Sequence, residues 1–220
     1  ITETRAVSIQ TDLFGDPVAT GRTTMTVDVQ DIAEPEGQPE AGKNINNVEH
    51  EYILADTKEK RAALIAELKQ QKTICFDTET TGTDANNCEL VGLSFAIKHH
   101  HGWYVPVPAD QKEAQAIVDE FKPILEDENI GKIGQNIKYD VLMLKWYDLQ
   151  VKGPLFDTML AHYVLDPDTR HNMDVMSENY LGYKPVSITE LIGAKGKQQG
   201  SMRDVEFEKI KEYAAEDADI

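Results

Sequence analysis

Apolar positions begin to recur with regular spacing only near Tyr52, and the first regular pattern is helical. Thr57 stands as a cap ahead of Ala62, Leu64, Ile65 and Leu68, which predicts a helix over about residues 58–70. Three short runs rich in β-branched and aromatic residues follow, Thr73–Phe76, Leu90–Ile97 and Trp103–Val107, each bounded by turn-forming sequence. They predict consecutive antiparallel strands. The pattern then alternates: a helix over about Glu113–Leu125, a strand at Lys132–Gln135, a helix over Tyr139–Trp146 and a last strand near Pro154–Phe156, with only helical patterns after it. Such alternation extends a sheet with parallel strands. The expected fold is therefore α/β over residues 51–220, with helices flanking a mixed five-stranded sheet of three antiparallel strands then two parallel ones.

Residues 1–50 read differently. The run from Asp31 to Glu40 is dense in Pro, Gly and Glu, a composition that buries too little apolar surface to offset chain entropy. An N-terminal linker, partly disordered, is expected there, with Thr23–Val29 as its candidate strand. The chain has 220 residues, enough for one well-buried domain plus this extension, and a monomer is the default expectation. Ile1 and Ile220 look like cut ends of a longer chain.

A content of 40% hydrophobic and 28% charged residues is that of a globular protein, and no apolar run approaches the roughly 18 residues of a membrane span. No membrane partner is expected. The opening stretch lacks a basic region followed by an apolar core, so no signal peptide is expected either. Cys75 and Cys88 have neither metal-site spacing nor the density of a disulfide framework, which favours the cytoplasm. The net charge of −17 argues against a broadly basic surface for nucleic acid. Carboxylates clustered around divalent cations would reverse locally the field that a phosphate meets.

The first cluster with chemistry in it is Phe76-Asp77-Thr78-Glu79-Thr80-Thr81-Gly82, at the exit of the first central strand. Residues two apart in a strand share a face, so Asp77 and Glu79 present two carboxylates to one point. Ionised together they repel unless a cation lies between them, and oxygen ligands of this kind suit Mg²⁺ or Mn²⁺. An acidic turn ending a strand would have the same sequence. The second cluster is Gly134-Gln135-Asn136-Ile137-Lys138-Tyr139-Asp140, where a strand enters a helix. Asn136 suits the N-cap, and Asp140 lies a turn further on, where an acid also fits the helix dipole. In the third cluster, Tyr213-Ala214-Ala215-Glu216-Asp217, Tyr213 and Asp217 stand at i and i+4 on one helix face, with two alanines that allow close packing on a sheet.

In this order and on these elements, the three clusters resemble the DEDD exonuclease superfamily, in the branch with tyrosine in its third motif. The similarity extends over Tyr52–Ile220 to the proofreading domain of bacterial family A DNA polymerases, through the stretches LVGLSFA (90–96), IGQNIKYD (133–140), FDTML (156–160) and YAAEDAD (213–219). The resemblance implies an RNase H-like fold and a 3′-5′ exonuclease releasing 5′-mononucleotides from single-stranded or frayed DNA 3′ ends. By the same resemblance, Asp77, Glu79, Asp140 and Asp217 hold two ions, Mg²⁺ or Mn²⁺, and Tyr213 orients the attacking water. Asn136 would meet the backbone or sugar of the strand, and Arg170 with His171, in the RHNMD stretch, its phosphate. A polymerase domain of the same chain and a bacterial cytoplasm complete the implication. A stand-alone exonuclease of the RNase D or Werner type, and a catalytically silent domain bracing a polymerase, are the alternatives.

Three features are left without a role. His99, His100 and His101 are expected in a solvent-exposed hairpin turn, Cys75 as a small buried hydrophobe, and Lys195-Gly196-Lys197 in a loop that lacks phosphate-binding spacing.

Overall fold

The computed structural model describes residues 42–196 and 198–220. Most of the expected linker, the candidate strand at Thr23–Val29 and Lys197 lie outside them. Residues 42–50, at the end of the expected linker, lie against the domain. Lys43 bridges Tyr183 in parallel, and the Asn44–Asn47 turn is closed by its own asparagine side chains.

Six strands form one sheet in the order β1-β4-β3-β2-β5-β6. They are β1 (Glu51–Leu54), β2 (Thr73–Thr80), β3 (Leu90–Lys98), β4 (His101–Pro106), β5 (Gly131–Gly134) and β6 (Leu155–Asp157). Strands β2, β3 and β4 are an antiparallel meander, with β5 and β6 added in parallel beyond β2. The expected strand count of five is corrected to six. The additional strand, β1, pairs in parallel with β4 at the far edge of the sheet. With four residues, of which only Tyr52 is fully buried, it is too short for a period-two pattern to stand out.

Strand alternation sends side chains to two different layers. Ile74 and Phe76 of β2 and Leu93 and Phe95 of β3 face a core closed by α1 (Lys58–Leu68), α2 (Gln111–Leu125) and α3 (Lys138–Lys145). Arg61 joins α1 to α2 by bonding both carboxylate oxygens of Glu120, at 2.8 and 3.0 Å. The opposite face carries Val91 and Tyr104 against Met202, Ile210 and Ala214. Three further helices, α4 (Thr158–Leu165), α5 (Met173–Leu181) and α6 (Ile188–Ile192), lead to α7 (Phe207–Asp219), which lies on that opposite face. Its approach is close because Ala214 and Ala215 are buried small residues and Gly102 lies beneath them. A Cβ at Gly102 would stand 2.9 Å from the Ala215 carbonyl.

The histidine run divides. His99 and His100 are exposed, with His100 in the left-handed region at φ 60°, but His101 is the first residue of β4 and only 8% exposed. Its Nε2 lies 3.3 Å from Glu51 of β1, and its ring meets Trp103 edge-on. The expectation of an exposed turn fails for His101 because the pairing with β1 covers it.

Lys132 on β5 is fully buried and donates from Nζ to the carbonyls of Asp127 and Lys152, at 2.6 and 2.7 Å. Burial lowers its pKa. Lys132→Ala strands two carbonyls and opens a cavity, so a loss of about 2–4 kcal/mol is expected in urea unfolding.

Candidate active site

Strand parity places Cys75, Asp77 and Glu79 on the α7 side of β2, opposite to Ile74 and Phe76. The carboxylates of Asp77 and Glu79 meet that of Asp217, from the last turn of α7, with one oxygen of each lying within 4.8 Å of the others. Glu79 is 6% exposed, and its Oε1 has no hydrogen-bond partner among the described residues. Tyr213, one turn before Asp217, lies near enough for the phenol and the Asp217 carboxylate to act on each other's protonation.

Asp140, on the first turn of α3, is 2% exposed and falls outside this group of three. Its Oδ1 accepts from the Thr78 backbone N–H at 3.1 Å and from the Thr78 hydroxyl at 2.5 Å. Thr78 lies between the two acids of β2, so the anchor still brings Asp140 near enough for its charge to act on both Asp77 and Glu79.

Electrostatically the site is under compression. Burial, and next the Asp140 charge, push Glu79 up to about 8. Asp140 is pushed up to about 7, chiefly by burial, with the two Thr78 hydrogen bonds opposing the shift. Asp77 and Asp217 are raised well above the carboxylate range, by burial first and then by neighbouring acids. The Tyr213 phenol is raised as well, by burial and the Asp217 charge. Like charges gathered in a dry pocket, one of their oxygens without a partner, fit a hard divalent cation. An all-oxygen donor set is the kind Mg²⁺ and Mn²⁺ take.

Asn136 is not the helix cap expected of it. Ile137 holds that position without a side-chain bond, and Asn136 turns into the left-handed region at φ 58°. The backbone of β5 must bend sharply to enter α3, and Asn is among the few residues that tolerate this conformation. Its N–H goes to Asp157 Oδ1 at 3.2 Å. Arg170 is exposed. His171 uses Nδ1 against Nδ1 of the buried His162 at 2.7 Å, while its carbonyl accepts from Gln135 at 2.7 Å. Cys75 is half-buried beside an apolar cavity with Met173, Met176 and Tyr180, and burial pushes its thiol up to about 12, as suits an inert side chain.

Sequence reasoning missed Thr78 and Asp157. Asp157 had a signal, since an acid ahead of the apolar run Met159–Leu165 reads as a helix cap, and it does cap α4 by accepting from Leu160 N–H. Thr78 had none, because its partner is distant in the chain. Glu216, inside the third cluster, points away from the site. It accepts from the Tyr183 hydroxyl at 2.5 Å and the Val186 N–H at 2.7 Å, which fastens the segment after α5 to α7.

A mixed sheet with α7 laid across it and acids gathered at the exit of its central strand defines an RNase H-like domain with a carboxylate centre. The family model described as 3′-5′ exonuclease matches residues 52–220. DNA polymerase I of Pseudomonas aeruginosa is 38% identical over 167 residues, which are 72% of this chain and 18% of that protein. DNA polymerase I of Borreliella burgdorferi is 33% identical, over 80% of this chain and 20% of that protein. The chain belongs to the 3′-5′ exonuclease domain family of the family A DNA polymerases. It spans about a fifth of the length of the curated relatives it matches.

Among solved structures, the catalytic core of RRP6 from Trypanosoma brucei aligns with a TM-score of 0.60 at 18% identity, covering 93% of this chain and 53% of that one. Brucella melitensis NrnC with bound Mg²⁺ aligns with a TM-score of 0.55 at 21% identity, covering 78% and 76%. These two share the fold. Among the described residues, no helix is long and apolar enough to cross a membrane.

Proposed function

We propose that this domain removes 5′-mononucleotides one at a time from single-stranded or frayed DNA 3′ ends, using two divalent ions, and proofreads for a polymerase domain in the same chain. The observation that carries this reading is the convergence of Asp77, Glu79 and Asp217 within 4.8 Å, with Glu79 Oε1 buried and unpartnered. Asp77, Glu79 and Asp217 would hold the ions, and Asp140, anchored at Thr78, would complete the set. Held there by these carboxylates, Mg²⁺ or Mn²⁺ would supply Lewis acidity, lowering the pKa of water and offsetting negative charge on the departing 3′ oxygen.

The protein's own groups do the rest. The raised pKa of Tyr213 keeps its phenol protonated, so it serves as a hydrogen-bond donor and acceptor that orients water and does not act as a base. Glu79 offers its free oxygen to the same water. Asn136, Arg170 and His171 are the proposed contacts to the sugar and phosphates of the strand, local exceptions on a chain of net charge −17. A mismatched 3′ end unpairs at lower cost than a matched one and so reaches the pocket more often. Residues 51–220 form the catalytic unit in this reading and residues 1–50 a tether whose last residues lie against the domain, in a cytoplasmic monomer.

The test is a 3′-labelled single strand incubated with the protein, with and without Mg²⁺ or Mn²⁺. Stepwise shortening that requires the metal is expected, and a strand left intact in both conditions would overturn the reading. An RNA strand in parallel checks the substrate, since only the 2′-hydroxyl differs along the backbone. Faster loss of RNA than DNA would favour an RNase D type of enzyme. Thr78→Val, which keeps the backbone donor to Asp140 and removes the hydroxyl, is expected to slow shortening by about 10- to 100-fold, as for other residues that orient metal ligands.

A further inference from the structure

Asn136 holds a left-handed conformation, at φ 58°, which Asn tolerates better than most residues and which its hydrogen bonds fix here. Two bonds hold the turn, one from the Tyr139 N–H to the Asn136 carbonyl at 2.9 Å and one from Asn136 itself to a carboxylate. Asp157 Oδ1 accepts the Asn136 N–H at 3.2 Å and the Leu160 N–H at 3.1 Å, so one atom serves both the turn from β5 into α3 and the cap of α4. Register supports the arrangement, because Asp157 lies directly beside Gly134 where β5 and β6 pair. The other oxygen, Oδ2, is buried with no hydrogen-bond partner among the described residues, and the two bonds this carboxylate makes there serve the turn and the cap.

Asp140 has its own anchor in the two Thr78 donors, and Asp157 reaches it only through its charge. Loss of Asp157 is therefore expected to loosen Asn136 while Thr78 still holds Asp140. We propose that Asp157 is a positioning residue for substrate capture, fixing the Asn136 side chain where the sugar and phosphate of the 3′-terminal nucleotide pass. The inference rests on the reading of Asn136 as a strand contact given above.

The experiment measures kcat and KM on a labelled oligothymidylate with Mg²⁺, together with binding of the same strand by fluorescence anisotropy in Ca²⁺. Asp157→Ala is expected to raise KM and weaken binding about tenfold, with kcat falling less than about threefold. Asp157→Asn retains Oδ1 and is expected to restore both to within about threefold of the starting protein. Asn136→Gly, which is relaxed at positive φ, should weaken binding as Asp157→Ala does, and adding Asp157→Ala to it should weaken binding no further.

A fall in kcat at constant KM, additive effects in the double variant, or unchanged binding in Asp157→Ala would overturn the inference. If Asp157→Ala fails to fold by circular dichroism, Asp157→Glu, which keeps the charge and displaces the oxygen, is judged by the same outcomes. A wild-type protein that binds the strand but does not shorten it would sink the exonuclease reading, and the binding measurements would still decide the role of Asp157.

Discussion

Asp77→Asn is expected to lower metal-dependent shortening of a 3′ end by on the order of 10³-fold or more, and at the same time to raise the melting temperature of the metal-free protein by about 2–5 °C. Both effects come from one atom's charge. Without a cation, the Asp77 carboxylate is held by the fold among Asp140, Glu79 and Asp217, and burial and repulsion together drive its pKa up. The amide has nearly the same shape, so substitution removes the repulsion without leaving a cavity. It also removes a hard oxygen donor from a set of three carboxylates that meet within 4.8 Å. An Asp77→Asn protein that still shortens the strand at the original rate would rule out the carboxylate centre. One that is inactive and also melts lower without metal would show that the acids do not strain the fold.

The parts of this site that could be read from sequence are those set by local periodicity. Asp77 and Glu79 share a face because a strand has period two, and Tyr213 pairs with Asp217 because a helix returns after four residues. The alanines between them announced the close approach of α7 to the sheet, and Ala214 and Ala215 are indeed buried. What escaped depends on partners far along the chain. The anchor of Asp140 is Thr78, sixty-two positions away, and no local pattern marks it. Strand β1 exists because β4 offers it an edge, and His101 is buried because β1 is there. Asn136 suits a cap by residue type, but Asn favours helix caps and left-handed turns alike. The Asp157 carboxylate, arriving at the end of β6, and the Tyr139 N–H on the Asn136 carbonyl hold it in the turn.

In the absence of metal, stability is expected to fall as pH rises from about 4 to about 8, by on the order of a few kcal/mol, or a melting temperature lower by about 5 °C or more. The sign follows from the direction of the shifts. Glu79, ordinarily near 4.5, titrates at about 8 in the folded chain, and Asp140, ordinarily near 3.8, at about 7. Between those limits the folded protein keeps protons that the unfolded chain has released. Raising the pH therefore favours unfolding, and the contribution is gone once the pH passes the folded pKa values. Exposed acids such as Asp56 and Asp119 shift the opposite way, and their lowered pKa values make stability fall again only below about pH 4. Mg²⁺ or Mn²⁺ should cancel the upper part of this dependence, because a cation binds the ionised acids and competes with protons for them. Calorimetry in EDTA at pH 5, 6.5 and 8, repeated with millimolar metal, reads both effects. Metal should raise the melting temperature strongly at pH 8 and little at pH 5, and Asp77→Asn should blunt the response. A metal-free protein whose melting temperature climbs steadily to pH 8 and ignores added Mn²⁺ would mean that these carboxylates are neither compressed nor poised for a cation.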